Sequence, residues 1–143
     1  MLINQLKEVL QNNSNISFAY LFGSYADETF TDRSDVDVAV YFKDYDFNKH
    51  LELMSKISKI TQKDTDLVVL NKAKNLYLLE DIISKGILLK DSEKRIDFEL
   101  RKHHEYLDYI EFKKRIDAML DRDKEKKLCL NPNLPLEDII TYI

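Results

Sequence analysis

Two aspartates, Asp35 and Asp37, stand one residue apart where a polar segment gives way to an apolar run. Residues two apart in a β-strand point to the same face, which places these carboxylates about 6 to 7 Å apart at the backbone. Like charges so placed at the end of a sheet are costly unless a cation binds, and hard oxygen ligands favour Mg²⁺ or Mn²⁺. The pair therefore predicts a divalent-metal site.

A third carboxylate, Asp66, opens the next strand-like run along the chain. With Asp35 and Asp37 it can complete a site for two metal ions about 3.5 to 4 Å apart, which stabilises the attacking and leaving oxygens in phosphoryl chemistry. Asp64 is an alternative ligand, because it would lie on the same face of that strand. Taken alone, the Asp35-Asp37 pair or Asp66 is more often a solvated strand start, and only their joint occurrence indicates phosphoryl transfer.

A Gly-Ser pair, Gly23-Ser24, follows the apolar run of residues 16–22. A residue without a Cβ lets a phosphate approach the backbone, and a helix beginning there would add free N–H groups and a favourable dipole. Ser24 would add a hydroxyl donor, although a Gly-Ser pair after a strand is by itself more often only a turn. The chain has two glycines and neither GxxxxGK[ST] nor GxGxxG, which excludes P-loop and Rossmann sites.

Hydrophobic periodicity predicts four helices and four short strands around these residues. The segments are a helix from Leu2 to Leu10, strands at 16–22 and 35–42, a helix over Phe47 to Ile60, a strand at 66–70, a helix at 74–85, an edge strand at 87–89 and a long helix at about 93–126. Gly86 is expected to provide a left-handed cap for the 74–85 helix, and Asp91-Ser92 to cap the last one. This order predicts an α/β (α+β) fold with helices packed on one small sheet.

The long final helix would extend about 50 Å, more than the width of a domain of this size, so part of it should project. Its apolar residues form two stripes, a first stripe of Ile96, Leu100, His103, Leu107 and Ile110 and a second stripe of Tyr109, Phe112, Ile116, Met119 and Leu120. The first stripe is expected to dock on the sheet. The second stripe either contacts another molecule or is folded back by a kink, and the sequence leaves both open.

The composition is that of one ordinary domain with a single core, since 44% of the 143 residues are apolar and 34% are charged. The net charge of −4 lacks the basic excess of a dedicated nucleic-acid binder. The chain has one cysteine, no apolar stretch of 18 residues and no signal-peptide pattern at its start. We therefore expect a soluble cytoplasmic protein that binds neither a membrane nor a specific nucleic-acid sequence.

The chemistry-bearing residues together resemble the signature of the DNA polymerase β-like nucleotidyltransferase superfamily. The resemblance lies in Gly23-Ser24, ten intervening residues, Asp35-Val36-Asp37 preceded by Ser34, and Asp66 at the start of the next apolar strand. Because the chain is small, it is similar within that superfamily to the minimal nucleotidyltransferases, the MntA-type antitoxins of HEPN/MNT toxin–antitoxin pairs. The resemblance covers residues 1 to about 90, and the region after about 91 matches only loosely.

The resemblance implies a nucleotidyltransferase fold with a small mixed sheet of about four strands and a Mg²⁺-dependent transfer of AMP from ATP. Gly23, Ser24 and Ser34 would bind the nucleotide, Asp35 and Asp37 the metal, and Asp66 the catalytic metal while it helps to deprotonate the acceptor. The acceptor would be a hydroxyl, by resemblance a tyrosine, of a HEPN ribonuclease toxin that forms an oligomer with this chain. Residues 1–90 would form the core, 91–127 a helical extension and 128–143 a tail that contacts the partner.

One segment departs from the family pattern, and two other functions stay open. Relatives often carry Arg-Gly after the Gly-Ser-x-Ala segment, where this chain has Asp27-Glu28, and two acids there oppose triphosphate binding unless they point away. Arg33 could offset part of that charge. The alternatives are an antitoxin that neutralises its partner by binding alone, and a nucleotidyltransferase that acts on a small hydroxyl compound.

Overall fold

The sheet that positions the site has four strands in the order β3-β2-β1-β4. The structure, a computed structural model, describes residues 2–125. Their elements are α1 (Leu2–Gln11), β1 (Ile16–Phe22), β2 (Val36–Phe42), α2 (Phe47–Thr61), β3 (Thr65–Val69), α3 (Leu76–Lys85), β4 (Ile87–Lys90) and α4 (Glu93–Glu125). Strand β1 is antiparallel to both β2 and β4, whereas β2 and β3 are parallel. The predicted α/β (α+β) class with a small mixed sheet and a long C-terminal helix is confirmed.

Strand β1 lies in the middle of the sheet and is apolar throughout because both of its faces are covered. On one face Ala19 and Leu21 pack in a core that includes residues of α1 and α2. On the other face Phe18 and Tyr20 pack with residues of α3 and with Phe98 of α4. A strand covered on both sides loses the usual polar alternation, as the continuous run in the sequence indicated.

Helix α4 packs on the sheet through Phe98 and not through the first stripe. The Phe98 side chain is only 3% exposed, and its ring centroid lies 5.4 Å from that of Phe18 and 5.5 Å from that of Tyr41. Ile96 and Leu100 are both 57% exposed, so the expectation that the first stripe docks on the sheet is wrong. The aromatic side chains of β1 and β2 pack against the ring of Phe98. The spacing of the aliphatic residues in the sequence did not reveal this contact.

Polar contacts fix the same end of α4. The Tyr20 hydroxyl donates a short hydrogen bond to the Glu99 carboxylate, which also accepts two hydrogen bonds of 3.1 Å from the Arg95 guanidinium. The guanidinium in turn donates to Asp91, the residue expected to cap this helix. Burial and the neighbouring Glu99 raise the pKa of Tyr20 above its usual value, so this hydroxyl stays protonated as a donor.

Gly86 ends α3 in an extended conformation, with φ −66° and ψ 153°, so the expected left-handed cap is wrong. Its N–H still donates to the Ile82 carbonyl at 2.8 Å, and the chain continues directly into β4. The residue is glycine because of space: a Cβ at this position would lie 2.3 Å from the Ile82 carbonyl oxygen. The left-handed cap occurs instead on α2, at Gln62 with φ 56°.

The chain divides into two compact units, Met1–Leu100 and Arg101–Ile143. Helix α4 is unbroken from Glu93 to Glu125, so the alternative in which it folds back on itself is wrong. Within the second stripe Tyr109 is buried and Met119 is 55% exposed. The expected partner-binding tail, 128–143, lies outside the described residues. Across residues 2–125, none of the helices is both long and apolar enough to cross a membrane.

Candidate active site

The three predicted carboxylates lie at one edge of the sheet. Two are on the parallel strands β2 and β3, and the third is on the residue before β2. Asp37 on β2 pairs in register with Asp66 on β3, and β2 begins one residue after Asp35. The Val36 N–H donates to the Asp64 carbonyl at 2.9 Å, which continues the pairing to the start of both strands. Parallel neighbours in register place side chains of the same face next to each other, so the sheet itself brings Asp37 and Asp66 together.

The Gly-Ser turn lies against the second of these aspartates. Phe22, the last residue of β1, pairs with Asp37 across the antiparallel ladder, and Gly23 follows with φ +73°. A Cβ on Gly23 would lie 2.2 Å from Oδ2 of Asp37. Both the positive φ and this close approach exclude side chains, so Gly23 lets the turn cross directly over the carboxylate.

Repulsion among the three acids acts most clearly on Asp37, which is partly buried. Its pKa is raised above the usual aspartate value by burial first, then by the charge of Asp66 and then by that of Asp35. The sequence left Asp64 and Asp66 as alternatives. The coupling to Asp37 favours Asp66 as the third member of the group.

None of the three carboxylates is neutralised by a residue between 2 and 125. Asp35, Asp37 and Asp66 accept no hydrogen bond and form no ion pair with any described residue. Other acids are engaged, as Asp46 is at the start of α2 and Asp91 is with Arg95. Between residues 2 and 125 no three acidic, histidine or cysteine side chains already lie close enough to hold a metal ion together. The group is therefore a cluster of unsatisfied hard oxygen donors and not a preformed cage.

The turn after β1 keeps its hydroxyl available. Residues Gly23–Tyr25 form one short 3₁₀ turn, too short for the helix dipole that the sequence left open. The Ser24 hydroxyl makes no hydrogen bond to a described residue, while its carbonyl accepts from the Thr29 N–H at 3.0 Å. Ser34 differs, because its hydroxyl accepts from the Thr31 N–H at 2.8 Å and closes a turn.

One acid of the loop, Asp27, is held by local hydrogen bonds. The Asp27 carboxylate accepts from both the N–H and the hydroxyl of Thr29, and these hydrogen bonds lower its pKa below the usual value. Tyr25 stacks on Phe30 with ring centroids 4.6 Å apart and nearly parallel planes, so the loop folds on itself. Asp27 is thus a structural acid of the turn and stays charged.

Next to Asp35 the surface forms an open cavity of about 490 Å³ with polar walls. Asp32, Arg33, Ser34 and Asp35 line it from the β1–β2 loop, and Ser58, Gln62, Lys63 and Asp64 from the end of α2 and the turn after it. A larger hollow of about 770 Å³, between the α1–β1 loop and α2, contains none of the predicted site residues. Of these two cavities, the smaller one is lined by one of the three predicted carboxylates, Asp35, whereas Asp37 and Asp66 are not part of its lining.

The site lies within a segment of the chain that matches a known protein family. The sequence pattern of the family described as "Polymerase beta, Nucleotidyltransferase" matches residues 4–95, more than half of the chain. The chain belongs to this nucleotidyltransferase family. The matched segment contains every residue of the site described above.

Two relatives with named activities support a nucleotidyltransferase. The protein adenylyltransferase MntA of Shewanella oneidensis is 33% identical over 85 residues, which are 58% of this chain and 60% of that protein. A protein of Methanocaldococcus jannaschii, provisionally named a protein adenylyltransferase, is 30% identical over 84 residues, which are 57% of this chain and 84% of that protein. Both matches span little more than half of this nucleotidyltransferase.

Solved structures resemble the nucleotidyltransferase over more of its length. A chain from the crystal structure of a toxin–antitoxin with AMP-PNP has 27% identity and a TM-score of 0.69, and the match covers 84% of this chain and 99% of that one. A chain from the complex of the tri-AMPylated Shewanella oneidensis HEPN toxin with its MNT antitoxin has 26% identity and a TM-score of 0.62, with coverage of 83% and 96%.

One cationic residue at this site, Lys63, was not predicted from the sequence. Lys63 follows the left-handed Gln62 and extends to the β1–β2 loop, where its ammonium donates to the Asp32 carbonyl at 3.3 Å. Nothing near residue 63 in the sequence distinguishes Lys63 from the lysines of α2, because its proximity to Asp32 depends on the fold. The available signal in the sequence was Asp27-Glu28, because two acids close to a phosphate-binding turn require a compensating cation from elsewhere in the fold.

Proposed function

We propose that this nucleotidyltransferase transfers AMP from ATP to the hydroxyl group of a tyrosine of a HEPN-type toxin and thereby acts as its antitoxin in the cytoplasm. The observation that carries the proposal is the contact of Gly23 with Asp37, next to Asp66, within a fold shared with toxin–antitoxin structures. A glycine turn, a free serine hydroxyl and three unneutralised carboxylates provide what a nucleoside triphosphate and its divalent cation require.

The donor set fits Mg²⁺. The oxygens of Asp35, Asp37 and Asp66 are hard ligands, they repel one another, and no described residue neutralises them. Asp35 and Asp66 are exposed, so their side chains can turn toward an ion while Asp37 stays fixed against Gly23. Bound Mg²⁺ would supply positive charge for the phosphate oxygens.

The residues of the chain then have separate roles in the transfer. Gly23 and Ser24, with Ser34 at the cavity, position the triphosphate so that its α-phosphorus faces the acceptor hydroxyl. The hydroxyl oxygen forms a bond to that phosphorus, and the bond from the phosphorus to the bridging oxygen of the pyrophosphate breaks. The hydroxyl proton passes to the Asp66 carboxylate, and pyrophosphate leaves.

The decisive experiment follows transfer of label from ATP carrying a radioactive α-phosphate to the co-expressed partner. We expect the double substitution Asp35→Asn with Asp37→Asn to abolish transfer while the thermal unfolding temperature stays close to that of the wild type. Asp64→Asn is the matched control, because it removes a nearby acid that is not coupled to Asp37, and it should retain transfer. Labelling by the double variant at the wild-type rate would rule the assignment out.

A second candidate function is neutralisation by binding alone, with residues 1–90 as a scaffold and the segments 91–127 and 128–143 as the contact. It is favoured by the likeness to complexes of a toxin with its antitoxin. Growth of cells that express the toxin separates the two. If the double variant still neutralises the toxin while removal of residues 126–143 destroys neutralisation, binding is the mechanism.

A further inference from the structure

The cavity beside Asp35 contains two cationic side chains for which the described part of the chain offers no acidic partner. Lys63 and Arg33 both line it. Three acids line it as well, yet neither cation forms an ion pair with any residue in the described part of the chain. If these cations were paired with neighbouring acids, their role would be structural. Because they are unpaired and line a cavity, they remain available to an anionic ligand.

Lys63 is the better placed of the two. Its ammonium donates to the main-chain carbonyl of Asp32 at 3.3 Å and lies 5.8 Å from the centroid of the Tyr25 ring. Tyr25 belongs to the same 3₁₀ turn as Gly23 and Ser24, so the ammonium lies over a side chain of that turn. An ammonium has three donors, and a carbonyl takes one of them.

The positive charge also compensates for an unfavourable feature of this chain. The Gly-Ser turn is followed by Asp27 and Glu28, and Asp27 is held in its charged form by Thr29. With Asp35 and Asp37 nearby, a triphosphate approaching the turn meets mainly negative charge. A cation on the opposite side of the loop would reduce that repulsion.

We propose that Lys63 is a phosphate-binding residue, which contacts the polyphosphate of the nucleotide donor and offsets the negative charge of Asp27 and Glu28 after the Gly-Ser turn. This inference rests on the proposed function and adds a binding residue to it. Arg33, on the loop wall of the same cavity, supplies a second and weaker contact because it is exposed.

Calorimetric binding of the non-hydrolysable analogue AMP-PNP, with Mg²⁺ and without the partner, tests the contact apart from catalysis. Loss of one charge-assisted hydrogen bond corresponds to about a 10-fold weaker affinity or more, and this is expected for Lys63→Gln. Lys63→Arg should recover most of the affinity. Lys59→Gln is the matched control, because it removes a lysine one turn earlier that lines the other hollow, and it should bind like the wild type.

Two further measurements identify the ligand group and separate this inference from the proposed function. Inorganic triphosphate should displace AMP-PNP from the wild type and do so about 10-fold less well from Lys63→Gln, while the KM for the acceptor protein stays unchanged. Equal AMP-PNP affinity in Lys63→Gln and the wild type, or equal losses in Lys63→Gln and Lys59→Gln, overturns the inference even if AMP transfer is intact. A rise in the acceptor KM alone would also overturn it, by assigning Lys63 to the acceptor. A wild type that binds no nucleotide overturns both proposals.

Discussion

Gly23 and Asp37 are in such close contact that a methyl group on residue 23 would lie 2.2 Å from the carboxylate oxygen of residue 37. The glycine also has φ +73°, which costs other residues about 1 to 2 kcal/mol. The two constraints act on different quantities. The dihedral angle affects stability, whereas the contact affects where the Asp37 carboxylate lies.

Gly23→Ala is therefore expected to lower activity much more than stability. The new methyl group must displace Asp37, and a displacement of about 1 Å at a reacting centre can cost on the order of 100-fold in rate. The free energy of unfolding should fall by only about 1 to 2 kcal/mol. Rates of label transfer and urea unfolding measure the two effects.

Ser24→Ala provides the comparison for this prediction, because it keeps the backbone and removes only the free hydroxyl. Its loss of rate should be closer to 10-fold, the value of one hydrogen bond to a charged group. If Gly23→Ala transferred AMP at the wild-type rate, the close contact would have no bearing on the chemistry.

The repulsion around Asp37 predicts a stability that depends on both pH and divalent cations. An acid whose pKa is raised in the folded state opposes folding when it is ionised, so its cost is present at neutral pH and disappears as the pH falls below its pKa. Asp66→Asn removes the larger of the two repelling charges. In EDTA at pH 7 it should stabilise the protein slightly, by about 0.5 kcal/mol or less, because water screens these partly exposed groups.

Urea unfolding of Asp66→Asn and the wild type at two pH values checks the sign. The difference should vanish at about pH 3, where aspartates are protonated. Adding Mg²⁺ at pH 7 should reverse the order, since the ion binds the folded wild type more tightly than the variant. Asp64→Asn should show neither effect, and a stabilising effect of the same size there would point to general surface charge.

The sequence predicted the positions of the three aspartates better than it predicted the packing of the helices. Asp35, Asp37 and Asp66 could be found because strand periodicity and parallel register are local rules that carry side chains to one edge. Lys63 could not be found, because its proximity to Asp32 and Tyr25 depends on how two distant turns meet. Most of the observed helix and strand ends lie within one or two residues of the predicted ends, since each apolar run has its own start and stop signals.

The docking face of α4 was the main error in the predicted packing. The first stripe is made mainly of aliphatic residues at helical spacing. The structure instead buries Phe98, which lies outside that stripe. The left-handed cap predicted at Gly86 was wrong for a different reason. A glycine at the end of a helix suggests a left-handed cap, but here the same residue is required by a close approach to a carbonyl, which no spacing rule detects.

Substitutions at Gly86 separate these two reasons for a glycine. Gly86→Ala is expected to cost about 1 to 3 kcal/mol, because its Cβ would meet the Ile82 carbonyl oxygen at 2.3 Å. Asparagine tolerates the left-handed conformation, so it would be the mildest replacement if the cap were left-handed. In the extended conformation Gly86→Asn should be at least as destabilising as Gly86→Ala. Chemical denaturation of both variants measures the difference, and a clearly milder asparagine would contradict the observed backbone.

The contact of Phe98 with Phe18 and Tyr41 predicts which residue attaches α4 to the sheet. Phe98→Ala should lower the free energy of unfolding by about 3 to 5 kcal/mol, as large-to-small changes of buried aromatic residues do. Leu100→Ala, two residues along the same helix and 57% exposed, should change it by less than about 0.5 kcal/mol. Urea denaturation at equilibrium gives both values. Equal losses in the two variants would mean that the first stripe does carry the helix, and that the aromatic contact is incidental.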